Sequence, residues 1–324
     1  MELDPEALSS ELVRALRGTR SQTAFARRLG YRSNAVYTWE SGRRWPTASA
    51  FLRAASRVGV DVGGGLRAFL RSDPAWLGAL DPTSPEAVAA LLSDLRGDTP
   101  IGQVAARAGR TRFAVSRWLK GQSEPRLPDL LRMVEATSLR LLEFVAIFAD
   151  PASLASTRSG WERMSVAKSL AVSSPWAQAV QLALELVPYR ALPAHDPAWI
   201  AARLGLDEDT VRTALVLLER AGQVAFDGTH YAPVEVRAVD VRSPQAGRAL
   251  KRFWAEVGLE RLCSGSDGMW SYNVFTVSEA DLLRLEEMQR AYYRAIRALV
   301  ADSSPERVVL VNLQLVPITS PTAP

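Results

Sequence analysis

A mainly α fold is predicted, built as two tandem helical domains, a winged helix-turn-helix and a small α+β C-terminal domain. Three observations predict it. The first half repeats itself without a gap at an offset of 79 residues, the mark of a duplicated structural unit. Each copy is a string of short helical segments punctuated by glycine at matching places. The second half runs helix, helix, helix and hairpin, then places one long helical pattern between two alternating ones.

The repeat sets the register of the first half. With Trp39 on Trp118, Leu12 falls on Leu91, Leu16 on Leu95, Arg17 on Arg96 and Gly18 on Gly97. Ala26, Arg28 and Gly30 fall on Ala105, Arg107 and Gly109, and Ala35, Val36, Gly42 and Pro46 on Ala114, Val115, Gly121 and Pro125. Leu52 and Arg53 fall on Leu131 and Arg132. In each copy an amphipathic segment (Pro5 to Arg17; Pro85 to Arg96) stops at glycine. A short helix follows, Gln22 to Leu29 or Ile101 to Ala108, then a glycine turn. A second short helix is expected from Ser33 to Glu40 and from Arg112 to Leu119, and a further one after Pro46 or Pro125, Thr47 to Val58 or Leu127 to Ala136. Two short helices about a glycine turn make a helix-turn-helix. The expected domains are 1–72 and 83–150, with a Ser/Ala-rich linker, 151–174, able to hold a short helix.

The segments QTAFARRLGYRSNAVYTWESGRRWP and IGQVAARAGRTRFAVSRWLKGQSEP resemble the lambda-repressor/Cro-type (XRE) helix-turn-helix. That pattern is roughly Q-x-x-x-A-x-x-x-G, a polar stretch, a small or β-branched residue, W-E-x-G and P. The first copy matches nearly throughout. The second carries Ile101 for the glutamine and Leu119 for the glutamate, which weakens phosphate clamping and local hydrogen bonding rather than the fold. The resemblance implies lambda-repressor-like helical domains and double-stranded DNA as partner, with the second helix in the major groove. It implies base contacts from Arg32, Ser33, Asn34, Tyr37 and Thr38, and from Thr111, Arg112, Phe113, Ser116 and Arg117. Asn suits an adenine edge, Arg a guanine edge and Phe a thymine methyl. Arg20, Gln22, Arg43, Arg44 and Lys120 are the expected phosphate contacts. Val36, Trp39, Val115 and Trp118 have core spacing, and Phe113 is open between core and groove.

Charge agrees with such a partner without requiring it. The net charge is +4, and few of the 39 basic residues are lysines. Arg20 to Pro46 holds six basic residues against Glu40, and Thr99 to Arg126 six against Glu124. Because the reading residues differ between copies, one chain is not expected to bind a perfect palindrome; its half-sites should lie about 34 Å apart or at multiples of that.

In the second half, Pro175 to Leu186, WIAARLG up to Gly205, and Asp207 to Ala221 read as helices. QVAFDGTHYAPV turns at Asp227-Gly228 as a hairpin. This is the winged helix-turn-helix, expected over 175–235. Asp207, Glu208 and Asp209 suit a helix start but oppose phosphate, so a structural or dimerising role is favoured. The α+β domain, 236–320, is expected as a helix from Ser243 to Leu262, a Ser/Gly loop and a strand from Trp270 to Val277. A helix capped by Ser278 and Asp281 then runs to about Val300, and Arg307 to Pro317 forms a second strand. Leu282, Leu285, Met288, Tyr292, Ile296 and Leu299 make an apolar stripe on that helix. Trp254, Trp270, Tyr272, Phe275, Tyr292 and Tyr293 are expected in a core, with a sensing pocket as the alternative. PAWIAARLG, ALVLLERAGQV, FTVSEADLLRLEEMQ and the closing Asn312, Gln314, Val316, Pro317 and Thr319 resemble the C-terminal module of an uncharacterised bacterial family commonly described as transcriptional regulators.

Chemistry finds little to build on. The chain has two histidines, His195 and His230, and one cysteine, Cys263. No HExxH, phosphate loop, zinc-ligand spacing or nucleophile elbow is present. No enzyme activity, catalytic residue, metal or cofactor is therefore expected. His195 reads as part of a turn, His230 as solvent-exposed on the wing. One cysteine, no signal sequence and no long apolar run point to a reducing cytoplasm, bacterial and nucleoid-associated when bound, with no membrane. A homodimer is expected, and a small-molecule effector stays unknown. The expectation is a regulator reading DNA with two helix-turn-helix units; the alternative is an interaction scaffold whose helix-turn-helix folds do not bind DNA.

Overall fold

The computed structural model describes residues 3–234, 244–301 and 303–318. Met1, Glu2, Ser243 and Thr319 lie outside the described residues. Among the described residues the chain is mainly helical, with 18 α-helices and one two-stranded sheet. It divides into two compact units, Met1–Glu162 and Arg163–Pro324.

The first unit holds both copies of the repeat. Copy one is α1 (Pro5–Arg17), α2 (Gln22–Arg28), α3 (Ala35–Glu40), α4 (Ala48–Arg57) and α5 (Val62–Leu70). After the short α6 (Ala75–Ala79), copy two is α7 (Pro85–Arg96), α8 (Ile101–Arg107), α9 (Arg112–Leu119), α10 (Leu127–Ser138) and α11 (Leu141–Val145). Helix starts follow their caps: the side chains of Asp4, Ser21, Asn34, Thr47, Ser84 and Thr111 each accept a first-turn N–H. Gly30 and Gly109, with φ of +83° and +59°, make the turns before α3 and α9, where a side chain would be strained.

Matching positions are buried in both copies. Leu12, Phe25, Val36, Trp39, Phe51 and Leu52 share one apolar cluster with their counterparts Leu91, Val104, Val115, Trp118, Leu130 and Leu131. The stretch after copy two is helical: α12 (Arg158–Ser173) occupies most of the expected linker.

The second unit continues with α13 (Pro175–Ala183), α14 (Val187–Arg190), α15 (Pro197–Leu204) and α16 (Glu208–Arg220). The antiparallel hairpin follows, β1 (Val224–Phe226) and β2 (Tyr231–Pro233), in register Val224↔Pro233, Ala225↔Ala232 and Phe226↔Tyr231. Val180, Leu184, Ile200, Val211, Leu215 and Leu218 fill its core with Tyr189. The Tyr189 hydroxyl accepts from Tyr231 N at 3.1 Å and lies 3.0 Å from His195 Nδ1. Burial lowers the His195 pKa below the ordinary histidine value. The expected solvent-exposed His230 is corrected here. It is half-buried, packs edge-on to Tyr189 at 5.4 Å, and its Nε2 is buried. The turn is drawn back over Tyr189 because His195 N donates to Thr229 O at 2.7 Å.

Two helices complete the unit, α17 (Pro244–Cys263) and α18 (Glu279–Ala301). Trp254 of α17 packs on the core, edge-on to Trp176 at 5.4 Å. Ser278 caps α18 as expected, its hydroxyl accepting from Asp281 N and donating to Asp281 Oδ2. The two expected strands are not formed: 270–277 and 307–317 join no sheet. Polar anchors tether the second segment instead, Asn312 Nδ2 to Trp254 O at 2.8 Å and Gln289 Nε2 to Leu313 O at 3.3 Å. The expected core role holds for Trp254 and fails for Trp270, Tyr272, Phe275, Tyr292 and Tyr293, which are exposed. The stripe on α18 buries no residue. No described helix is long and apolar enough to cross a membrane.

Candidate nucleic-acid interface

The two short helices α3 and α9 each present one buried and one open face. Val36 and Trp39 point inward from α3, Val115 and Trp118 from α9, as their spacing predicts. On the open side of copy one, Arg32, Ser33, Asn34 and Tyr37 are exposed. Thr38 is half-buried, its hydroxyl donating to Ala35 O at 2.7 Å. On copy two, Thr111, Arg112, Phe113 and Arg117 are exposed and Ser116 is half-buried. Phe113 is 84% exposed, so its side chain belongs to the open face rather than the core.

One boundary differs from expectation. Helix α3 begins at Ala35 rather than Ser33, because the Asn34 side chain accepts from Tyr37 N at 3.2 Å and caps it. Copy two begins at Arg112 as expected, capped by Thr111. The side-chain oxygens of Asn34 and Thr111 are thus engaged at helix starts.

Among the expected phosphate contacts, Arg20, Arg43, Arg44 and Lys120 are exposed. The Arg43 guanidinium lies over the Tyr37 ring at 5.5 Å, a cation–π contact that orders both side chains beside α3. Gln22 is half-buried, and its amide nitrogen donates to Glu40 Oε2 at 2.7 Å. Three other arginines of the basic clusters serve structure. Arg28 donates to Arg57 O, Arg110 pairs with Asp129 at 2.6 Å, and Arg126 donates to Trp45 O at 3.2 Å. Raw charge counts therefore overstate the number of basic groups free of structural duties.

The residues that hold α3 and α9 in place were not singled out from sequence. Arg14 donates to Glu40 O at 2.7 Å, and its counterpart Ser93 donates to Leu119 O at 3.3 Å. Arg17 pairs with Glu40 at 2.5 Å and also donates to Arg20 O at 2.6 Å; its counterpart Arg96 donates to Thr99 O at 2.9 Å. The available signal was the Arg17/Arg96 match within the repeat.

Residues 161–318 match a domain of unknown function, DUF4423. The DUF4423 match begins within α12 and takes in the hairpin, α17, α18 and the Asn312 segment. It covers the region where sequence resemblance pointed to an uncharacterised module, and it leaves the two repeat copies outside. No curated protein matches the chain, and no solved structure does.

Proposed function

We propose that the chain is a sequence-specific, double-stranded DNA-binding transcriptional regulator, with two XRE-type helix-turn-helix units reading the major groove. One observation carries the reading. Two frames with matching buried positions each hold out a short helix, and the open side at the helix and its start carries Arg, Ser, Asn, Thr and Tyr in copy one and Arg, Ser, Thr and Phe in copy two. These are the residue types that read base edges, flanked by exposed Arg20, Arg43, Arg44 and Lys120 for phosphate. No residue is assigned a catalytic role.

The second half is assigned to structure and to pairing of two chains. Its α16 opens with Asp207 capping Thr210 N, and Glu208 pairs with Arg212. That end offers phosphate an acidic surface. The 269–318 region exposes Met269, Tyr272, Val274, Phe275, Met288 and Tyr292, apolar area that a second chain would cover. A reducing cytoplasm suits the exposed free thiol of Cys263.

The test is retention of DNA from a random fragment pool by the full chain at several salt concentrations, followed by sequencing. An enriched motif surviving near-physiological salt is expected. Replacing Arg112 and Arg117 by alanine should weaken binding to that motif about tenfold or more while sparing unrelated DNA. Lys120→Ala should weaken all sequences alike and reduce the salt slope by about one unit. Retention of nothing at any salt would reject DNA binding in favour of an interaction scaffold.

A further inference from the structure

The two copies meet within the first unit, and their contacts are reciprocal. Ala48 N donates to Pro125 O, and Leu127 N donates to Pro46 O, both at 2.9 Å. The 79-residue offset carries Ala48 to Leu127 and Pro46 to Pro125, so exchanging the copies maps each bond onto the other. Thr47 and Arg126, between them, are counterparts and form an antiparallel bridge. Helix packing repeats the pattern. Helix α1 packs on α10 and α7 on α4, which are exchanged, while α4 with α10 and α5 with α11 pack against their own counterparts. Reciprocal contact of this kind is the signature of a two-fold relation, not of a translation along the chain.

Symmetry holds in the frame and fails on the reading face. Ala35, Val36 and Trp39 have identical counterparts in Ala114, Val115 and Trp118. Arg32, Ser33, Asn34, Tyr37 and Thr38 correspond to Thr111, Arg112, Phe113, Ser116 and Arg117, and no pair is the same. Contacts beside the axis are also one-sided. The Glu124 carboxylate accepts from Ser49 N, whereas the counterparts are Trp45 and Pro128, which has no N–H to give. Arg132 pairs with Glu6 at 2.5 Å, whereas the counterpart of Glu6 is Pro85. A Cβ on Gly65 would overlap the Ile147 side chain, and the counterpart of Gly65 is Phe144. These contacts favour copy one against copy two over either copy against itself.

We infer that each chain is a built-in heterodimer of helix-turn-helix units about an internal two-fold axis at Thr47–Arg126, made to bind two inverted half-sites of different sequence. This rests on the DNA-binding reading above. B-DNA has local two-fold axes across its helix, so two-fold-related readers meet half-sites of opposite orientation. Direct repeats are related by a screw and would need copies stacked by translation. The α9 half-site carries guanines for Arg112 and Arg117 and a thymine methyl beside Phe113. The α3 half-site differs from it.

Two readings of the full chain test this. In a Cys263→Ser background, Thr47→Cys with Arg126→Cys places the thiols at a non-hydrogen-bonded antiparallel pair, about 4.5 Å between Cα atoms, within disulfide range. Oxidation should give a cross-linked product of single-chain mass on a non-reducing gel. No cross-link, or one of doubled mass, overturns the intrachain pairing. In parallel, the motif enriched from the fragment pool should contain two unlike half-sites in inverted orientation. Arg112→Ala with Arg117→Ala should relax one half, and Arg32→Ala the other, each by about fivefold or more. A direct repeat, or one half-site per chain, overturns the inference and leaves the DNA-binding reading standing. No enriched sequence from a chain that does cross-link overturns both.

Discussion

Glu40 shows how the same frame tolerates two chemistries. A carboxylate with 5% of its surface exposed requires partners, and Arg17 and Gln22 supply them. At the matching positions copy two has Arg96, Ile101 and Leu119, so the carboxylate and the glutamine that donates to it have become aliphatic together. Arg96 keeps the duty it shares with Arg17, a hydrogen bond to the loop carbonyl three residues on. Removing one member of a buried polar set leaves the others unsatisfied, whereas replacing them jointly by apolar groups is near neutral. Glu40→Leu alone should therefore destabilise the first unit by about 2 kcal/mol. Adding Gln22→Ile should recover part of the loss. Denaturant unfolding of the two single variants and the double variant gives the coupling, and simple additivity would contradict this account.

Among the elements, α5 and α11 show what a sequence pattern cannot reveal about closeness. Three glycines in a row at 63–65 read as a weak helix, yet α5 forms, capped by Asp61 accepting from Gly64 N. The reason for glycine at 65 lies 82 positions away, in the Ile147 side chain occupying the space of its Cβ. Gly65→Val should overpack this crossing and destabilise the first unit by about 2 kcal/mol. Ile147→Ala in the same chain should relieve part of the loss, measured as the shift in unfolding midpoint. A Gly65→Val chain as stable as the parent would mean that Ile147, in the turn after α11, gives way freely. The start of α3 teaches the complementary lesson. Ser33 and Asn34 are both competent caps, and Asn34 made the bond, moving the boundary by two residues.

For the whole molecule, an apolar region without a core is the feature with the clearest consequence. The proposed pairing of two chains predicts a solution mass near twice the 35.4 kDa of one chain by light scattering. Tyr272→Asp with Phe275→Asp should return it to the single-chain value, whereas a parent chain of single mass would reject the pairing. Much of the fold and of the candidate site was readable beforehand because the repeat states every inward position twice. Val36 and Val115, or Trp39 and Trp118, can only share a face if both copies fold alike. The hairpin at Asp227-Gly228 and the Ser278 cap were readable because their bonds span two or three residues. The failed strands at 270–277 and 307–317 alternate as strands do, but alternation does not supply a neighbour to pair with. Sequence by itself determined most of the helices, the Ser278 cap and the inward faces of the repeat, since periodicity and capping act within a few residues. Tertiary structure alone decided that Glu6 meets Arg132, that Glu124 holds Ser49 N and that the two copies face each other about an axis. Those contacts join residues 75 or more positions apart, and no local pattern in the chain encodes which distant partner each will find.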